Sequence, residues 1–184
     1  MPALEQISIA PHLTFDALVA GEPGAPLVLL LHGFAESMHC WRAQVDALGD
    51  MGYRAMAPSQ RGYSPGARPD PREFSHYLID RLMDDAMAIA AAAGYGDARF
   101  HVAGHDWGGS IAWGLADRAH ARLASLTILS RPHPNAFNRC SWSMASRPTA
   151  RGTQGISRIR CRRCGARRRR QMVARSPDRQ WRSR

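Results

Sequence analysis

Arg99-Phe100-His101-Val102-Ala103-Gly104-His105-Asp106-Trp107-Gly108-Gly109 is the stretch whose reading decides the fold of this chain. Its first five residues alternate as a strand does, and the stretch 109–119 is compatible with a helix. Between them lies Gly-His-Asp-Trp-Gly, a strand–turn–helix pentapeptide. So sharp a turn needs small residues at its flanks, and it pushes the central side chain out above the sheet as a nucleophile. Serine is usual there, whereas Asp106 would form an ester, a chemistry suited to displacing oxygen or halide from saturated carbon. By itself the pattern has a plainer explanation, because the chain holds 16 glycines and an aspartate at a turn is often only a helix cap.

A second element upstream strengthens the catalytic reading. Leu27-Val28-Leu29-Leu30-Leu31 is continuously apolar, as a central parallel strand buried on both faces must be, and it runs into His32-Gly33-Phe34. The loop after such a strand supplies one oxyanion-hole amide, and the residue after the nucleophile supplies the other. Those amides would be the backbone N–H groups of Phe34 and Trp107.

With these residues in place, from about Ile7 to Asn138 the chain resembles the α/β-hydrolase superfamily, in its epoxide hydrolase and haloalkane dehalogenase branch. The resemblance rests on His-Gly-Phe at 32–34, on Gln60-Arg61-Gly62-Tyr63-Ser64, on the aspartate elbow, and on Arg131-Pro132-His133-Pro134 beyond it. Dehalogenases typically place asparagine after His-Gly, so Phe34 tilts the likeness toward epoxide hydrolases. Ala35-Glu36 departs from the family, which usually has a proline there. The resemblance implies small-molecule substrates, an epoxide or an alkyl halide, and no cofactor. In the dehalogenase alternative the Trp107 indole would hold the leaving halide.

The remaining pattern predicts an α/β fold, a mostly parallel sheet with helices on both faces. Residues 7–20 form a short antiparallel start. Strands follow over 27–31 and 53–57, and a further one over 124–129. Trp41, Val45 and Leu48 recur at helical spacing and predict a helix over 38–51, ended by Gly52. Leu78, Leu82, Ala86, Ile89 and Ala93 predict another over 75–93, closed by Gly94. The proline- and glycine-rich loop 58–72 lies between.

At Cys140 the chain changes character. Residues 140–184 contain 14 arginines and one acid, against 11 arginines and 14 acids before them, so the net charge of +10 comes wholly from this tail. Ile156, Ile159 and Val173 are its only aliphatic branched residues, far below the roughly one-fifth that suggests a packed core. The division expected is therefore an N-terminal part of an α/β-hydrolase domain, 1–139, and an Arg-rich, unstructured tail, 140–184. The tail has three readings: an arm for nucleic acid, a solvated extension, or out-of-frame translation. The chain has no lysine, as a GC-rich coding sequence would produce, and the break falls where the hydrolase pattern is incomplete, which favours the third. A basic-tailed nucleic-acid binder on an inactive core is the alternative from another functional class.

By the same resemblance the fold lacks its cap and C-terminal strands, and with them the histidine and acid that would activate water, and the two cap tyrosines. All eight histidines precede Cys140. His32 and His105 flank the site and are expected to be structural, and neither His120 nor His133 has a family precedent as the base. An inactive chain, able to form an ester once at most, is the expectation. Cys161-Arg162-Arg163-Cys164 offers half a tetrahedral metal site, and Gly94-Tyr95-Gly96 lacks the glycine spacing of a dinucleotide turn, so no metal or cofactor is expected. No run of about 18 apolar residues and no signal segment is visible, so a cytoplasmic location follows by default.

Overall fold

The computed structural model describes residues 1–133. The strands are β1 (Ala3–Ala10), β2 (Leu13–Ala20), β3 (Leu27–Leu31), β4 (Arg54–Pro58), β5 (Phe100–His105) and β6 (Leu123–Leu129). The α-helices are α1 (Arg42–Asp50), α2 (Ile79–Ala90) and α3 (Asp106–Arg118). Among the described residues the sheet runs in the order β1-β2-β4-β3-β5-β6. β1 and β2 form an antiparallel hairpin that also meets β4 antiparallel, and the rest of the sheet is parallel. This is the mostly parallel α/β architecture expected from the apolar patterning. The tail over 140–184, with its cysteine pair, lies outside the described residues.

β3 shows why the sheet is covered twice. All five of its residues are buried. Leu27, Leu29 and Leu31 point into the core shared with Leu82, Ile89 and Ile111 of α2 and α3. Val28 and Leu30 point the other way, onto Trp41 and Val45 at the start of and within α1. The strand period of two sends alternate side chains to opposite faces, so a continuous apolar run is what a doubly covered strand requires.

Several boundaries differ from the sequence expectation for local reasons. The first helix opens as a 3-10 turn, Met38–Trp41, which carries the exposed Cys40, before α1 proper. α2 starts at Ile79 because Leu78 is extended at ψ 148° and the preceding turn, Phe74–Tyr77, folds back so that Tyr77 Oη donates to the Pro69 carbonyl at 2.6 Å. Gly94, at φ 94°, closes the π-turn that follows α2. α3 starts at Asp106 itself.

One buried ion pair ties the loop after β4 to α2. Arg61 donates to Asp85 through Nη2 at 2.6 Å and Nε at 2.7 Å, and the two side chains are 10% and 7% exposed. Burial pushes the Asp85 carboxyl above its ordinary range while Arg61 pulls it down.

Candidate active site

The connections leaving β3 and β5 run to opposite faces of the sheet, β3 toward α1 and β5 into α3. Adjacent parallel strands whose exits diverge leave a crevice at their carboxyl ends, where α/β proteins place ligands. Here the crevice separates the His32–Gly33–Phe34 loop from the β5–α3 turn. Asp106 stands in it with a side chain 40% exposed.

The turn is built by its glycines. A Cβ on Gly104 would lie 2.3 Å from the Gly108 carbonyl oxygen, and one on Gly108 would lie 2.2 Å from that of Leu31. The Gly108 N–H bonds the His32 carbonyl at 3.0 Å, which staples the first turn of α3 to the end of β3. Asp106 itself sits at φ 45°, a left-handed conformation that costs roughly 1–3 kcal/mol for a residue with a Cβ and is held only by surroundings that fix it. Gly108→Ala is expected to lose about 1–3 kcal/mol in thermal or urea unfolding, because backbone and not a flexible side chain blocks the new methyl. A change under 0.5 kcal/mol would show that β3 and α3 are not locked in this way.

The Phe34 N–H points at Asp106 Oδ2 across 3.3 Å. Bonds from the Phe34 amide first and the Trp107 amide second, then the charge of Arg131, hold the Asp106 carboxyl below the ordinary aspartate range. The structure thus brings together the three residues singled out in the sequence, Asp106, Phe34 and Trp107. Phe34 and Trp107 are 77% and 39% exposed, so the rim of the crevice is apolar and open.

The loop that carries Phe34 is braced from three sides. His32 is fully buried, its Nδ1–H donating to the Gly33 carbonyl at 2.8 Å and its Nε2 accepting from the Gln60 amide at 2.9 Å. With both nitrogens engaged and burial lowering its pKa, it is a neutral structural joint. Tyr63 packs edge-on against that ring at 4.8 Å and accepts the Ala35 N–H at 2.9 Å. Glu36 Oε2 accepts from the Gly33 amide at 2.8 Å and meets His105 Nδ1 at 3.0 Å, so it links the loop to the residue before Asp106. The Gly33 bond, then His105, keeps the Glu36 carboxyl below its ordinary range.

Two residues at the site were not picked out from the sequence. Glu36 stood there only as a departure from the family, and its signal was an acid where the loop usually has a proline. Arg131 was read only as part of the Arg131-Pro132-His133-Pro134 motif, with no role at the site: it follows β6, and its Nη1 lies 3.7 Å from Asp106 Oδ1. Of the other histidines, His120 opens the turn before β6, at the opposite end of that strand, which at about 3.3 Å per residue puts it some 20 Å from the crevice. His133 is the last described residue. Among the described residues no cluster of three or more His, Cys, Asp or Glu could hold a metal, and no helix is long and apolar enough to cross a membrane.

Comparison with known proteins agrees with this fold. Residues 26–150 match the family model of the alpha/beta hydrolase fold. The AB hydrolase superfamily protein YfhM of Bacillus subtilis is 39% identical over 125 residues, 68% of this chain and 42% of that protein. Epoxide hydrolase A of Mycobacterium tuberculosis is 45% identical over 114 residues, 61% of this chain and 34% of that one. Among solved structures, Epoxide Hydrolase A from Mycobacterium thermoresistibile aligns with a TM-score of 0.65 at 36% identity, over 72% of this chain and 40% of the other. Epoxide hydrolase VrEH1 from Vigna radiata aligns with a TM-score of 0.62 at 31% identity, over 71% and 40%. The chain spans between a third and about two-fifths of the length of these curated relatives.

Proposed function

The chain belongs to the α/β-hydrolase fold family, among relatives named epoxide hydrolases, and on that premise we propose that Asp106 opens an epoxide by direct attack. The observation that carries the proposal is the unequal setting of the two carboxylate oxygens. Oδ2 faces the Phe34 amide, while Oδ1 lies 3.7 Å from Arg131 Nη1. Oδ1 is therefore the attacking atom. It forms a C–O bond to a ring carbon as the ring C–O bond breaks, and the electron pair stays on the ring oxygen, which takes a proton from water. The product is an ester of Asp106 whose carbonyl oxygen is Oδ2.

Water then adds to the ester carbonyl carbon, and negative charge collects on that oxygen. The Phe34 and Trp107 amides, already aimed at this carboxylate, act as the oxyanion hole, worth about 10²–10³ in rate per donor where such donors have been removed. Collapse of the adduct expels the diol and restores the carboxylate. Activation of the water needs a general base. His32 has both nitrogens committed, His120 sits at the far end of the sheet, and His105, held at Nδ1 by Glu36, is taken as a structural link between the Gly33 loop and the elbow. In this reading the 184-residue chain forms the ester and does not release it. Its division into a hydrolase part, 1–139, and an Arg-rich out-of-frame tail, 140–184, belongs to the same proposal.

Incubation with styrene oxide, followed by mass spectrometry of the intact chain and its peptides, tests this reading. One adduct on Asp106 is expected. Faster halide release from an alkyl bromide than labelling by the epoxide would move the reading to dehalogenation. The pH dependence has a worked sign. The depressed Asp106 pKa keeps the nucleophile ionised below the ordinary aspartate value of about 3.9, so the labelling rate should stay level down to that pH and fall only beneath it. A rate already halved at pH 5 would contradict this.

A further inference from the structure

Arg131 is built into the crevice and does not merely lie near it. Its Nε donates to Ser110 Oγ at 2.8 Å, and its carbonyl accepts from Trp113 Nε1 at 3.4 Å, both from α3. Ser130 takes φ 60°, the left-handed conformation that turns the chain off the end of β6. Gly109 leaves the room for this approach, since a Cβ there would come within 3.0 Å of Arg131 Cβ. The outcome is a guanidinium whose Nη1 sits 3.7 Å from Asp106 Oδ1 and whose side chain remains 37% exposed.

A fixed cation beside the attacking oxygen has two opposing effects. It attracts electron density from Oδ1 and so slows attack on a neutral epoxide. It also offers planar N–H donors to any anion carried next to the reacting carbon, in the geometry that suits a carboxylate. From these contacts we infer that Arg131 makes the site selective for epoxides bearing a carboxylate on or beside the oxirane ring. The inference rests on Asp106 being the nucleophile. The substrate carboxylate takes the guanidinium N–H groups and offsets the positive charge beside Oδ1, which leaves that oxygen free to attack. Without Arg131, the same substrate would bring a negative charge up to the Asp106 anion uncompensated.

The test compares oxirane-2-carboxylate with oxirane-2-carboxamide, which match in shape and differ in charge, as labelling reagents for the full 184-residue chain. The readout is the ratio of their second-order rates of adduct formation on Asp106, which cancels reagent-independent effects. Arg131→Gln is expected to lower this ratio at least about tenfold, the scale of one charged hydrogen bond, with the carboxamide rate faster because the cation no longer draws density from Oδ1. Arg131→Lys keeps the charge but not the planar donors, so it should hold an intermediate ratio above that of Arg131→Gln, and it covers the case in which Arg131→Gln does not fold. In the native chain, raising the salt concentration should also shrink the ratio. An unchanged ratio in Arg131→Gln, or a collapse equally deep in Arg131→Lys, would overturn the selectivity while leaving Asp106 as nucleophile. Labelling of Asp106 by neither reagent would instead overturn the reading on which the inference rests.

Discussion

Asp106→Asn is expected to abolish covalent labelling by styrene oxide, a loss on the order of 10⁴ or more in rate, while leaving unfolding behaviour within about 0.5 kcal/mol of the native chain. The two halves of this expectation come from different contacts. Labelling needs an anionic oxygen, and the asparagine amide has none to offer. Stability rests on Gly104, Gly108 and the bond from the Gly108 amide to the His32 carbonyl, and none of these involves the 106 side chain. In the native chain the adduct should saturate at one per molecule with no steady formation of diol, read by intact mass and by chromatography of the small product. Sustained diol production that disappears in Asp106→Asn would mean that a base exists in this chain, and would point first to the free edge of the His105 ring.

Asp85→Ala is expected to behave in the opposite way, losing about 3–5 kcal/mol of stability because Arg61 is left charged and buried without its partner. For a domain of ordinary stability that is a large fraction of the total, so urea unfolding should show a midpoint far below that of the native chain. The effect should reach the site as well. Arg61 adjoins Gln60, whose amide and side chain both bond His32, so release of the loop loosens the joint under the Phe34 turn. The double replacement Arg61→Met with Asp85→Leu should recover most of the loss, because apolar groups of similar volume do not need the pair. A single-variant loss under 1 kcal/mol would show that the pair is solvated in solution.

Much of this site could be read before the structure, and the reason lies in the kind of signal involved. The elbow and β3 announce themselves locally, one by glycines at 104 and 108 and the other by five consecutive apolar residues. The placement of β4 between β2 and β3 has no local signature, since it depends on pairing between distant segments. The place of Arg131 beside Asp106 was illegible for that same reason. It reaches Asp106 only because β5 and β6 run parallel with His105 opposite Leu129, which brings the residues after both strands to one end of the sheet. Glu36 was visible as an oddity, but its partner His105 lies far along the chain, and only the fold shows that the acid bridges two loops. The helix starting at Ile79 was misjudged by four residues because the loop bond from Tyr77 to Pro69 and the extended Leu78 override a helical apolar period.

The geometry of the turn and the reagent it carries are separable. Leu31, His32, Gly104 and Gly108 hold the bend with backbone atoms alone, and the 106 side chain projects into an open crevice where a different nucleophile would meet the same two amides. Under the proposed mechanism, replacing Asp106 by serine would keep this architecture while the chemistry moved from displacement at saturated carbon to acyl transfer. The bend fixes the shape and leaves the reaction open, since a Cβ at Gly104 or Gly108 would lie 2.3 Å or 2.2 Å from a carbonyl oxygen while the 106 side chain stands in the open crevice.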